Sequence, residues 1–298
     1  MNTTTTISIQ IPSLESFTPI LGTKASDAIH SNAINIIGFC YDGSTSFRPG
    51  ARFAPNAIRV ASVGMETYSP YADLDMEDYA IFDLGNLPFH PSRRELSANI
   101  FDEAVKHLNI RETKAKFLTL GGEHSISFTP ISLYLRDYHD LLLIHLDAHT
   151  DLRDGYLGDE HSHAAVIKRV HERMQPTQSL LQYGIRSGMK EEFLFMKKHN
   201  TLCASLNNLL DKIENTPATR PIYLTLDLDF FDPAYCPGTG TPEPGGENFH
   251  SFLKIIKALQ AKNLVGADVV ELAPNIDPTA NSNSFAAIIV REILLAMV

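Results

Sequence analysis

Short apolar runs recur along the chain, and segments with helical spacing separate them. Ile34–Cys40, Ala80–Leu84, Phe117–Leu120, Leu141–Leu146, Leu180–Ile185, Leu202–Ala204, Ile222–Leu226 and Leu264–Val270 have the length and content of buried strands. Between them, Asn56–Val63, Phe128–Leu135, Ala164–Arg173, Glu191–Lys198, Leu206–Ile213 and Phe249–Ala261 read as helices. Pro55 suits the first turn of the Asn56 helix. Ser92-Arg93-Arg94-Glu95 fits a capping box that opens a further helix to about Leu108. Phe285–Val298 is interrupted by Arg291 and Glu292, so it reads as an amphipathic C-terminal helix lying on the core. Strands that are apolar on both faces and alternate with helices predict an α/β fold. The expected architecture is a three-layer α/β/α domain around a mostly parallel sheet of about eight strands.

The polar residues at the ends of these runs carry the chemistry. Asp147-Ala148-His149-Thr150-Asp151 follows Leu141–Leu146 directly, and its three metal-capable side chains sit at i, i+2 and i+4, one face of an extended chain. Ile222–Leu226 leads into Asp227-Leu228-Asp229, and Phe117–Leu120 into Gly121-Gly122-Glu123-His124-Ser125. Parallel α/β sheets bind ligands outside the carboxyl ends of their strands. Three such ends would bring His124, Asp147, His149, Asp151, Asp227 and Asp229 together. Alone, an Asp-x-Asp or a Gly-Gly-Glu-His is ordinary turn chemistry. The Asp-x-His-x-Asp after a strand, joined by the other two clusters, is not.

Four carboxylates and two imidazoles carry about −4 of charge, which two divalent cations neutralise. That donor set, free of thiolates, suits Mn²⁺ or a similar hard metal. Paired cations acidify a shared water into a hydroxide usable near neutral pH. His163 opens a helix shortly after the first cluster and is a candidate proton relay, with His161 a weaker one. Glu271 follows Val269-Val270 at another strand end, placed to accept hydrogen bonds from a planar cation. The turn Pro237–Pro242 after Cys236 has glycines for close backbone approach but no Lys-Ser/Thr pair, so it is not a phosphate loop. His145, His250 and Cys203 read as structural.

Composition narrows the alternatives. A net charge of −10 over 298 residues argues against nucleic acid and mildly favours a cationic small molecule. Three widely spaced cysteines give neither a disulfide framework nor a zinc spacing, as in a reduced cytosolic protein. Met1–Pro12 has no signal-peptide character, and no apolar run reaches the ~20 residues of a membrane span. Apart from Thr3–Thr6 there is no low-complexity stretch, and no linker. Clusters that converge on one site argue for one domain over 1–298, with 1–30 as an N-terminal extension.

The chain resembles the ureohydrolases, the family of arginases and agmatinases. Gly121–Ser125, Asp147–Asp151, Ser162-His163-Ala164, Asp227–Pro233 with its continuation to Gly246, and Asp268–Pro274 carry the resemblance, in the expected order. Tyr41–Pro55 and Gly238–Gly246 are most similar to the agmatinase branch. Glu123 stands where Asp is frequent and Ala54 where Gly is usual. The resemblance implies a binuclear manganese enzyme, a trimer or hexamer, that hydrolyses a small cationic guanidino substrate, agmatine to putrescine and urea. It implies that Asp147 and Asp227 bridge two Mn²⁺, that His124 and Asp151 complete one and that His149 and Asp229 complete the other. Asp151 would carry a proton to the leaving amine, Glu271 would hold the guanidinium and His163 would exchange protons with solvent. Arg153 leaves the substrate's tail open, so guanidinobutyrate, formiminoglutamate and arginine are alternatives. A two-metal phosphoesterase would place its Asp-x-His before its Gly-x-His, the reverse of the order here. A non-catalytic relative would not need all six ligands with Glu271 and His163.

Overall fold

A computed structural model describes the backbone of residues 6–10 and all of residues 17–90 and 93–298. Ser92 of the expected capping box and most of Met1–Pro12 lie outside the described residues. In chain order the strands of the main sheet are β1 (Lys24–Ala25), β2 (Ile34–Phe39), β3 (Ile81–Asn86), β4 (Lys116–Gly121), β5 (Leu142–Leu146), β6 (Ser179–Tyr183), β7 (Pro221–Asp227) and β8 (Asn263–Val270). They lie side by side as β6-β5-β7-β8-β4-β2-β3-β1, and every pairing is parallel. The sheet has eight strands, but not the eight the apolar runs predict. Leu202–Ala204 supplies only a bridge from Leu202 to Gln182. Its place is taken by β1, two exposed residues pairing with Phe82 and Asp83 at the far edge. An exposed edge strand that short leaves no hydrophobic signature.

Helices of more than one turn are α1 (Ala54–Ser62), α2 (Glu95–Val105), α3 (Phe128–Asp137), α4 (Val166–Arg173), α5 (Lys190–His199), α6 (Leu206–Glu214), α7 (Phe249–Gln260) and α8 (Asn281–Met297). Apart from the exposed edge strand β1, the strands are largely buried on both sides, and alternate residues enter two separate cores. Leu142, Ile144 and Leu146 of β5 pack under α1, α6, α7 and α8. Leu141 and Leu143 flank that alternation on the other side, where α2, α3, α4 and α5 close the third layer.

Two helices depart from expectation. Arg94 sits at the N-cap of α2 without a side-chain cap, and the helix ends at Val105. α8 is not amphipathic: it is buried around nearly its whole girth, Arg291 and Glu292 included. Arg291 Nη2 donates to Glu292 Oε1 at 2.7 Å, and Ser69 Oγ donates to Glu292 Oε2 at 2.8 Å. Arg291 Nη1 donates to the carbonyls of Glu66 and Tyr68. Fully paired charges tolerate the interior, so the polar pair that suggests a wet face is an internal knot.

Register decides where the site forms. Leu146 pairs with Leu226, Asp227 with Val270, and Val269 with Leu120. The carboxyl ends of β5, β7, β8 and β4, four neighbours at the middle of the sheet, are therefore level. The residues that follow each of them emerge side by side.

Candidate metal centre

Each cluster is held by backbone geometry as well as by its strand. Gly122 passes so close to β2 that a Cβ there would lie 1.8 Å from the Tyr41 carbonyl oxygen. That approach lets Gly122 N donate to Phe39 O at 2.8 Å and turns His124 inward. Asp151 and Glu271 have left-handed φ of 52° and 66°. Such a conformation in non-glycine residues costs roughly 1–3 kcal/mol each and clusters at functional sites. It aims the Asp151 and Glu271 side chains back over the strand ends.

The six side chains form two groups joined by Asp147. His124 Nδ1 faces Asp151 Oδ2 at 2.9 Å, Asp147 Oδ2 at 3.1 Å and Asp227 Oδ2 at 3.5 Å. His149 Nδ1 faces Asp229 Oδ2 at 2.9 Å and Asp147 Oδ1 at 3.6 Å. The two oxygens of Asp147 thus serve opposite groups. Asp227 joins the first group through Oδ2, while its Oδ1 accepts from Asp229 N at 2.8 Å.

Hydrogen bonding on the outer side of His124 fixes its proton. Thr225 Oγ1 donates its only hydrogen to Asp268 Oδ1 at 2.7 Å, so it must accept from His124 Nε2 at 2.9 Å. Once Nδ1 gives up its proton, as ligation of a cation requires, its lone pair points at three carboxylate oxygens, and this buried atom has no hydrogen-bond partner. Lone pairs converging from four side chains fit a cation between them.

The titration behaviour has the same cause. Burial pulls His124 down, but Asp147, Asp151 and Asp227 outweigh it and raise it well above its ordinary value. His149 is likewise lowered by burial yet pushed up to about 12 by Asp229 and Asp147. Burial, then repulsion from Asp229 and Asp147, holds Asp227 well above the carboxylate range. Burial and Asp147 raise Asp229. Burial and Glu123 push Glu271 well up. The cluster demands positive charge, and protons supply it where cations do not.

Several contributors escape a reading of strand ends. His145, two residues before Asp147 on the same strand face, donates from Nε2 to Asp147 Oδ2 at 2.7 Å. Asp268 accepts from Thr225, from Tyr223 at 2.8 Å and from Ser127 at 3.0 Å. Their signal was present: a polar residue inside an apolar strand must find a buried partner. Glu123 is buried and accepts from Ser44 N at 2.9 Å, Thr45 Oγ1 at 3.2 Å and Ser125 Oγ at 2.7 Å. It thereby braces the Tyr41–Pro55 loop.

The cluster floors a cavity of about 270 Å³. Glu271 lines it, with Oε1 accepting from His124 N at 2.9 Å. His163 lies on the wall with Ser44 Oγ 3.4 Å from Nδ1 and Ser46 Oγ 3.3 Å from Nε2. Arg153 lines the cavity too, its guanidinium 4.5 Å over the Tyr156 ring. His161 turns away, exposed, against Phe128. A residue absent from the sequence reading is Glu192, at the start of α5 and 4% exposed. Its Oε2 accepts from Met189 N, while Oε1 is buried without a partner. The Cys236 thiol is pushed up to about 12 by burial, so it offers no thiolate ligand. No helix of the described residues is long and apolar enough to cross a membrane.

The sequence pattern of the Arginase family matches residues 32–296. An agmatinase of Bacillus anthracis is 39% identical over 284 residues, spanning 92% of this chain and 95% of that protein. An agmatinase of Bacillus subtilis is 40% identical over 268 residues, spanning 88% of this chain and 91% of that protein. The proclavaminate amidino hydrolase of Streptomyces clavuligerus superposes with a TM-score of 0.84 at 26% identity, covering 95% of this chain and 97% of that one.

Proposed function

The chain belongs to the Arginase family, and from that premise we propose that it is a binuclear manganese hydrolase converting agmatine to putrescine and urea. It is a hydrolase of guanidino C–N bonds, a ureohydrolase. The observation that carries the metal reading is Asp147, whose two oxygens face separate histidine–carboxylate groups. His124, Asp151 and Asp227 with Asp147 would hold one cation, and His149 and Asp229 with Asp147 the other; Asp227 is proposed as the second bridge. Oxygen and imidazole donors without a thiolate favour Mn²⁺. When bound, the pair supplies a water acidic enough to attack at neutral pH.

The chain's own groups do the rest. Glu271 accepts from the guanidinium and sets its plane against the cluster. Asp151 takes the proton of the attacking water and gives it to the departing amine nitrogen. His163, between Ser44 and Ser46 at the wall, passes protons to solvent. One water is consumed, the guanidino carbon leaves as urea and the tail leaves as an amine.

Glu192 favours a cationic tail. A buried carboxylate oxygen with no donor is costly and is relieved by an ammonium entering the cavity. Arg153 is half-buried, and solvent partly satisfies its guanidinium, so its call on a carboxylate tail is weaker. A small cavity matches a short, unbranched diamine precursor. The test is urea release from manganese-loaded protein on agmatine, arginine and guanidinobutyrate, with formamide release followed for formiminoglutamate. Agmatine should be turned over with the highest kcat/KM, and Glu192→Gln should raise its KM about 10- to 100-fold. Preference for guanidinobutyrate, abolished by Arg153→Ala, would replace this reading with the guanidino-acid one. The buried, free cysteines suit a cytoplasmic enzyme.

A further inference from the structure

The outer nitrogens of the two cluster histidines are treated differently, and the difference assigns a role to Glu243. His124 Nε2 ends on Thr225 inside the protein. His149 Nε2 points outward, and the group that meets it is Glu243 Oε1 at 3.7 Å, an ion-pair separation. Glu243 is not loosely placed. Arg186 Nη2 donates to its carbonyl at 2.8 Å and also to Asp229 O at 2.7 Å, binding the Glu243 loop to the turn that carries Asp229. Asp232 Oδ2 accepts from Gly245 N at 2.7 Å and Gly246 N at 3.2 Å, which closes the loop from the other side. Arg48 donates to the carbonyls of Thr239 and Gly240 and fixes its start.

We infer that Glu243 is a positioning residue for His149: its carboxylate, at ion-pair distance from Nε2, favours keeping the proton on Nε2 when the ring gives one up, leaving the Nδ1 lone pair to face Asp229 and Asp147, and so tunes retention of the second cation. This rests on the two-cation reading above. A carboxylate partner on the remote nitrogen of a metal-binding histidine orients the ring and raises its basicity, and losing it typically weakens metal affinity about 10- to 100-fold. The backbone anchors of the loop do not involve the Glu243 side chain, which is 36% exposed, so substitution leaves the fold in place.

The experiment is equilibrium dialysis of the full-length protein against Mn²⁺ with elemental analysis, for the wild type and for Glu243→Ala, Glu243→Gln and Glu243→Asp, with the paramagnetic resonance spectrum recorded at saturation. In Glu243→Ala one of two equivalents should weaken about 10- to 100-fold while the other is unchanged, and the coupled-pair signal should fall with it. Gln, which accepts but carries no charge, should be intermediate, and Asp should recover part of the loss. Both equivalents bound with wild-type affinity in Glu243→Ala would overturn the inference, including the case where only KM for agmatine rises, which would place Glu243 on the substrate. A wild-type protein that binds no manganese would sink the two-cation reading itself, an outcome separate from the first.

Discussion

The two halves of the candidate metal centre share Asp147 and differ in almost everything else. The His124 half is inside the protein: its histidine side chain is 1% exposed, and Thr225, Asp268, Tyr223 and Ser127 form a closed network behind it. The His149 half opens on the cavity: its histidine is 25% exposed, and its outer partner is a surface glutamate on a pinned loop. A buried network that is fully satisfied fixes geometry at the expense of flexibility. The open half trades that fixity for access to water and substrate. One cation is thus expected to be built in with the fold and the other to exchange.

Removing what the halves share has the largest effect. Asp147→Ala should eliminate both bound cations and turnover together, read by elemental analysis and urea release; full activity in that variant would refute the site. His163→Ala acts on the mouth alone. Turnover should fall about 10²-fold with both cations retained, and metal loss would show that its role is misassigned. Both results keep or break the distinction between holding cations and moving protons.

Loading the open half should release protons. Metal ligands bind deprotonated, and in the cation-free protein Asp229 and Asp147 outweigh burial and keep His149 protonated up to about 12. Manganese affinity should therefore fall as pH falls. Calorimetry in buffers of different ionisation enthalpy should report about one proton or more released at pH 7. Zero release would mean His149 is not displaced from its carboxylates. Without cations the sign is opposite. The raised His149 stabilises the fold fully below its ordinary value near 6.5, and that contribution is lost as pH climbs through about 12.

The smallest effect should come from the buried half. Thr225→Val strands His124 Nε2 and removes one donor from Asp268. The expected cost is about 1–3 kcal/mol in urea unfolding, with weakened binding of the tighter cation only. An equal loss at both cations would mean the halves are not separately supported.

What the sequence made legible follows the same division. The alternation of apolar runs and helical segments is a direct product of burial on both sheet faces, so α/β architecture and most strands can be read from it. The six clustered side chains are legible because strands end where they stand. The outer partners are not, because Thr225 and Asp268 meet across neighbouring strands whose order the sequence does not state. His145 was in view as an imidazole in an apolar strand, and its meaning depends on the turn after Leu146. Glu192 lies at the start of an unremarkable helix, and only the cavity shows that one of its oxygens lacks a donor. Arg291 and Glu292 misled for the same reason: charge in a helix suggests water until its partners are seen.

On the proposed reading these distant segments enclose a pair of cations. Manganese bound per chain, measured by elemental analysis after reconstitution and gel filtration, should come to two, one of them removed first by a mild chelator; none, or a single one that supports full turnover, would mean that the pair is not there.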